Sequence, residues 1–320
     1  VSDLADIPLI VIGGPTAVGK TEMSIHLAKT FNGEIINGDS MQVYKHLDIG
    51  TGKISVEEKN GVPHHLLDIL EVTEEYDASR FKVEATQLIQ EIWSRGKLPI
   101  VVGGTGLYLE GLLYDLEFGG RASSDPMIRQ SFENKAIELG EKALWEELNS
   151  LDPIAAAKIP EQNVRRTIRA LEVIHLTGEL FSDQQSHNEQ QSVFNECVLI
   201  LDRPRAELYD RINRRVSMMA ELGLEAEAKQ LFDIAQGDRI PSMKGIGYKE
   251  WWPYFTGGIS KESVIETIQL NSRRYAKRQL TWFRNRLKEV NWLDNSDEQL
   301  AIEKAFTIVK QHLIKIEKDR

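Results

Sequence analysis

Cysteine is nearly missing from this chain. Cys197 stands alone in 320 residues, so no intramolecular disulfide and no multi-cysteine metal site can form, which removes disulfide frameworks, zinc ribbons and iron–sulfur clusters together. Long apolar runs are missing too: none approaches the roughly 18 residues of a spanning helix, and no membrane partner is expected. Proline (10) and glycine (23) are sparse, and with 41% hydrophobic and 28% charged residues this excludes collagen-like, low-complexity and largely disordered chains. Val1 to Asp6 is acidic where a secretory leader would be basic, so the expectation is a cytoplasmic protein. Net positive charge is also lacking: a formal charge of −10 argues against non-specific coating of nucleic acid. That average hides segregation. Between 271 and 288 stand Arg273, Arg274, Lys277, Arg278, Arg284, Arg286 and Lys288 with no Asp or Glu among them, so an acidic body carries a basic helix.

What is present points to an α/β core. Leu9-Ile10-Val11-Ile12 reads as a buried strand closing on Gly13-Gly14, and Lys20 to Thr30 has helical spacing of Met23, Leu27 and Ala28. Glu34 to Ile36 repeats the strand signal, Phe81 to Trp93 is an amphipathic helix, and Leu98 to Val102 is a third strand ending at Gly103-Gly104. This alternation predicts a parallel, doubly wound sheet. Strand signals then stop until Cys197 to Leu201; helical stretches near 126–149 and 164–177 and a polar segment, Asp183 to Ser192, fill the gap. The expected organisation is a core of 1–118 and 197–320 with a helical insertion at 119–196. Helices follow at Glu207 to Glu221, Leu224 to Ala235, about 261–289 and about 297–316, with a short last strand at Val290 to Leu293.

Gly14-Pro15-Thr16-Ala17-Val18-Gly19-Lys20-Thr21 satisfies G-x-x-x-x-G-K-[ST] between a predicted strand and a predicted helix, the context a phosphate-binding loop requires. Loop amides and the helix N-terminus face an anion, Lys20 adds a point charge, and the Thr21 hydroxyl can ligate a Mg²⁺ held by the phosphates. The loop does not say which phosphate ester it holds, ATP among them. Val198 to Asp202 resembles the acid-ended strand of nucleotide hydrolases and kinases, although a core strand ending in Asp is common. Gly103-Gly104-Thr105-Gly106 lacks the third glycine of a dinucleotide fingerprint, since Leu109 stands there. Asp39 follows the second strand directly and so reaches the carboxyl edge that presents the loop; it reads equally as a general base or as a cap of the next turn. His64 and His65 have no acidic or cysteine cluster nearby and read as structural hydrogen-bonders; Met218, Met219 and Leu222 read as core, and Trp251-Trp252 as core or rim.

Taken together, Gly14 to Thr21, Asp39 to Lys53, His64 to Asp68, Val102 to Tyr108, Arg169 to Val173, Gly245 to Glu250 and Ala276 to Arg284 resemble, in order and across about 14 to 284, the bacterial tRNA dimethylallyltransferase (tRNA isopentenyltransferase) family. The resemblance implies a P-loop NTPase-like fold and transfer of a dimethylallyl group from dimethylallyl diphosphate to the exocyclic amine of the adenosine at tRNA position 37, with Mg²⁺. It implies that Gly14, Pro15, Thr16, Ala17, Val18, Gly19, Lys20 and Thr21 hold the diphosphate, that Arg129 reaches it from the insertion, and that Asp39 accepts the amine proton. It also implies tRNA contacts at Asp39, Ser40, Met41, Gln42, Thr105, Arg165, Arg166, Arg169, Lys244, Gly247, Tyr248, Lys249, Lys277, Arg278, Gln279, Thr281, Trp282 and Arg284. Asn163-Val164-Arg165-Arg166 departs from the family's Asn-Asp-x-Arg.

An adenine stacked in the anticodon loop must turn out to react, and arginine planes at Arg165, Arg166 and Arg169 suit unstacked bases, as they would suit a solvated helix face. The basic helix, with its apolar stripe of Ile268, Tyr275, Leu280 and Phe283, fits an RNA backbone or a solvent face. No cysteine/histidine finger closes the chain, so RNA binding falls to the core and insertion. The expected state is a monomer without an obligate protein partner. Two rivals stand: a P-loop small-molecule kinase using ATP, which needs an acid such as Asp202 on Mg²⁺, and a non-catalytic RNA-binding NTPase-like module, which leaves the Asp39 stretch without a task.

Overall fold

A strand covered on both faces needs no polar alternation, and β1 (Pro8–Gly13) is buried at every residue. Five more strands, β2 (Gly33–Asn37), β3 (His64–His65), β4 (Leu98–Gly103), β5 (Asn195–Asp202) and β6 (Val290–Asp294), join it in a parallel sheet of order β3-β2-β4-β1-β5-β6. Val11 faces Val101 on one side and Val198 on the other. The chain leaves β1 toward β2 and later leaves β4 toward β5, so the order reverses between β1 and β4. That switch point opens a crevice at their carboxyl ends, which is where the site lies. The structure, a computed structural model, describes residues 3–116, 125–184, 192–237 and 240–319. Ser123, Ser124 and 185–191 of the polar segment lie outside the described residues.

The chain divides into two compact units, Val1–Asp115 with Ser192–Arg320, and Leu116–Gln191. In the first, the helix Lys20–Thr30 buries Met23, Ile25, Leu27 and Ala28. Each large apolar side chain so covered contributes about 1.5–3 kcal/mol, and the loop before the helix is thereby tied to the sheet. The long helix Lys261–Arg286 buries Val264, Ile268, Ala276, Gln279 and Phe283. In the second unit the single helical stretch expected near 126–149 is two helices, Pro126–Leu139 and Glu141–Leu151, parted at Gly140. Its core gathers Leu144, Leu148, Ile168 and Leu171.

The expectation that Met218 and Leu222 are core is corrected: they are 59% and 69% exposed. The helix Arg205–Glu221 buries the line Leu208, Ile212 and Val216, and continuing that line selects Met219, which packs against the core, rather than its neighbours. Trp251 is core, Trp252 partly so. His64 and His65 form the edge strand β3: His64 Nδ1 meets Val62 O at 2.8 Å, and His65 Nε2 meets Glu34 Oε2 at 2.8 Å.

Candidate active site

A strand that ends in glycines and turns at once into a helix leaves that helix's first amides without intrahelical partners. Here the loop's outward carbonyls are taken by a ring of donors: Arg211 Nε to Ala17 O (3.1 Å), Arg203 Nε to Val18 O (3.2 Å) and Asn295 Nδ2 to Val18 O (2.8 Å). Loop shape is therefore set from behind, and Thr16, Ala17, Val18, Gly19, Lys20 and Thr21 line one cavity of about 760 Å³. Lys20 Nζ donates to Gly14 O at 2.9 Å and Pro15 O at 2.7 Å.

Asp39 lines the same cavity. Asn37 fixes its backbone, accepting from Asp39 N at 3.1 Å and donating to Asp39 O at 3.2 Å. Asp39 Oδ1 accepts from Met41 N at 2.8 Å and from Gln42 N at 3.4 Å. It is thus a turn cap as well as a cavity residue, and Oδ2 is left without a hydrogen bond among the described residues. Ser40 N donates to Thr105 Oγ1 at 3.1 Å, which joins the ends of β2 and β4; Tyr275 lines the same cavity, and burial raises its phenol to about 12. The following segment hangs on Glu227, whose carboxylate accepts from Asp48 N, Ile49 N and Gly50 N, each at 2.9 Å, and from Tyr248 OH at 2.7 Å. Ionised acceptors make the stronger hydrogen bonds, so one carboxylate orders the wall that carries Met41 and Gln42.

Burial also pulls the Lys20 ammonium down to about 8; Asp39 opposes this and Arg215 adds to it. An anion takes the charged form, so above that pH the free protein must gain a proton to bind. Affinity for inorganic diphosphate, measured by calorimetry, is expected to be level below about pH 8 and to fall toward tenfold per pH unit above it. A level profile through about pH 9.5 would mean that Lys20 does not meet the anion.

Three arginines were missed in the sequence. Arg211, Arg214 and Arg215, at helical spacing on Arg205–Glu221, all line the cavity. Burial lowers Arg215's pKa, while Asp39 and then Glu58 raise it. Their signal was a set of cations at i, i+3 and i+4 along the border of an apolar stripe.

The other expected residues divide. Ser40, Met41, Gln42, Lys244, Gly247, Lys249, Arg278 and Gln279 border the same cavity. Tyr248 is a correction: its phenol is fully buried on Glu227 and has no surface to offer an RNA. The Gly247 amide donates inward to Glu250 Oε2 at 2.9 Å. Trp282 packs on Gly106 with Arg286 over its ring, and Thr281 Oγ1 donates to Lys277 O. Of the basic run, Arg273 donates to Asn213 Oδ1, Arg284 pairs with Asp202 at 3.0 Å and Arg286 with buried Glu110 at 2.8 Å. Arg274, Lys277 and Arg278 are exposed. In the second unit Arg129 and Arg169 converge on buried Glu172 at 3.0 and 2.7 Å, while Arg165 and Arg166 are exposed.

Comparison with known proteins agrees with this arrangement. A sequence model described as IPP transferase matches residues 42–286. A tRNA dimethylallyltransferase of Limosilactobacillus reuteri is 52% identical over 288 residues, 89% of this chain and 92% of that protein. One from Enterococcus faecalis is 51% identical over 285 residues, 89% and 91% respectively. Among solved structures, the full-length tRNA isopentenylpyrophosphate transferase of Bacillus halodurans superposes with a TM-score of 0.73 at 45% identity, covering 97% of this chain and 98% of its own. A eukaryotic dimethylallyltransferase acting on tRNA gives 0.79 at 33% identity, covering 92% and 75%. With the phosphate loop, Asp39 and the basic helix all on such a core, the chain belongs to the IPP transferase family.

Proposed function

We propose that the protein transfers the dimethylallyl group of dimethylallyl diphosphate to the exocyclic amine of adenosine at tRNA position 37 and releases diphosphate. The observation that carries this is a single cavity lined both by the phosphate loop and by Asp39. A weakly nucleophilic amine must displace diphosphate from an allylic carbon. That needs cations where negative charge grows and an acceptor for the amine proton. The loop amides, Lys20 and Arg215 serve the first need; Asp39 Oδ2, held by the Oδ1 turn bonds, serves the second. Met41, Met218, Met219 and Ile246 give the cavity an apolar wall suited to a five-carbon group.

No group of three His, Cys, Asp or Glu that could hold a metal occurs among the described residues. The exposed Thr21 hydroxyl at the helix start instead suits a Mg²⁺ carried mainly by phosphate oxygens. Bound there, the ion would share the charge of the departing diphosphate. The kinase alternative is not supported. Its acid, Asp202, takes the Arg203 amide on Oδ1 and Arg284 on Oδ2.

The RNA side of the proposal offers as tRNA contacts the exposed Arg274, Lys277 and Arg278 of the core and, in the second unit, the exposed Arg165 and Arg166; Arg129 pairs with Glu172 within its own unit. The protein acts as a monomer in the cytoplasm. Because Arg273 is already bonded to Asn213, the informative variant is Arg274→Gln/Lys277→Gln. Its tRNA affinity is expected to fall and its salt slope to flatten by about 0.7 to 0.9 per lost contact, with turnover restored at saturating tRNA in low salt. An unchanged slope in filter binding would reduce this flank to a solvated face. The function itself is tested by incubating the protein with radiolabelled dimethylallyl diphosphate and an adenosine-37 tRNA, with ATP and small acceptors in parallel. Label in the RNA is expected. Phosphoryl transfer from ATP without labelled RNA would overturn the proposal.

A further inference from the structure

Gln279 lies on the helix Lys261–Arg286 directly after the exposed Lys277 and Arg278, yet it is only 5% exposed. Its carboxamide spans two loops. Oε1 accepts from Thr16 N of the phosphate loop at 3.0 Å, and Nε2 donates to Gly104 O at 2.8 Å. An N–H on one side and a carbonyl on the other leave a single sensible orientation for the amide. Gly104 makes the approach possible, because a Cβ there would overlap Gln279 Nε2. The two loops follow β1 and β4, the strands that flank the switch point.

We infer that Gln279 is a positioning residue of the diphosphate cradle, fixing Thr16 of the loop against the end of β4, and that it is not an RNA contact. The inference rests on the proposed diphosphate role of the loop. Three features carry it: burial, a bond at each end of the amide to a different backbone segment, and a glycine opposite that a side chain would displace. A residue reading an RNA base would instead present its amide edge outward, since hydrogen bonds to bases specify only when the bases can reach them. Removing a buried bridge of this kind frees the Thr16 amide and lets the loop relax. Binding of the anion must then restore the geometry at its own cost. The loss falls on the prenyl diphosphate and leaves tRNA affinity untouched.

The test uses the full chain with Gln279→Met, which keeps the volume and removes both hydrogen bonds, and Gly104→Ala, which displaces the amide from the other side. Each variant is expected to raise KM for dimethylallyl diphosphate about tenfold, with tRNA Kd from filter binding held within twofold. Adding Gly104→Ala to Gln279→Ala is expected to cost little further, because the displaced group is already gone. A weaker tRNA Kd with unchanged KM for the diphosphate would make Gln279 an RNA contact and overturn the inference. A lower Tm with both constants unchanged below the transition would also overturn it, leaving only a packing role. Lys20→Ala separates this from the underlying reading. If Lys20→Ala raises that KM and Gln279→Met does not, the positioning role alone fails; if neither does, the loop is not the diphosphate site.

Discussion

Replacing Asp39 by Asn is expected to lower kcat by roughly 10² to 10⁴, the usual weight of a positioned proton acceptor, while tRNA affinity stays within a few-fold of the parent. Asn is the sharper substitution because Asp39 has two tasks. Its Oδ1 caps Met41 N and Gln42 N, and an amide oxygen can keep both bonds. Only the second, basic oxygen is lost. Ala removes both tasks at once, so its deficit is expected to be as large or larger and to include a disturbed 41–42 turn. Single-turnover rates with tRNA and dimethylallyl diphosphate preincubated at saturation isolate the chemical step from binding. An Asn variant within tenfold of the parent would eliminate Asp39 as the acceptor and leave it as a cap.

That double task explains how far the site was legible in the sequence. Position after β2 placed Asp39 at the carboxyl edge, and the turn-formers around it suggested a cap; both readings describe the same side chain. The phosphate loop was legible because its chemistry is local, eight consecutive residues between a strand and a helix. The five longer strands were legible, four of them as apolar runs and β6 as a short last strand. β3 was not, since two residues at a sheet edge have no periodicity to display. Residues whose surroundings depend on a distant partner were the least legible. Tyr248 belongs to a segment that looks like a surface motif, but it is anchored by Glu227. Arg284 stands in a basic run, but Asp202, far upstream, takes its guanidinium. Helical spacing shows which face is apolar, yet it does not show that Arg211, Arg214 and Arg215 line the same cavity as the phosphate loop and Asp39.

Arg215 therefore carries the second large expectation. Its guanidinium is pressed against Gly52, where a Cβ would overlap it, and it shares the cavity with Lys20 and Asp39. Burial penalises the charge, but a guanidinium keeps its proton under all working conditions, so Arg215 is a permanent buried cation in the cavity that holds Lys20, whose ammonium burial pulls down to about 8. Such a fixed charge, already desolvated, acts on a leaving diphosphate without reorganisation. Arg215→Ala is expected to lower kcat/KM for dimethylallyl diphosphate by about 10² to 10³, with tRNA Kd unchanged. Arg215→Lys is expected to recover only part of this, since a flexible point charge replaces a planar fork. A rival account makes Arg215 merely the partner that balances Asp39. The two accounts differ on the Asp39→Asn background, where no carboxylate remains to balance. There a cradle residue still governs the affinity for inorganic diphosphate, and a balancing residue no longer matters. Loss of diphosphate affinity on adding Arg215→Ala to Asp39→Asn, read by calorimetry, is the expected result; an affinity equal to that of Asp39→Asn alone would remove Arg215 from the cradle.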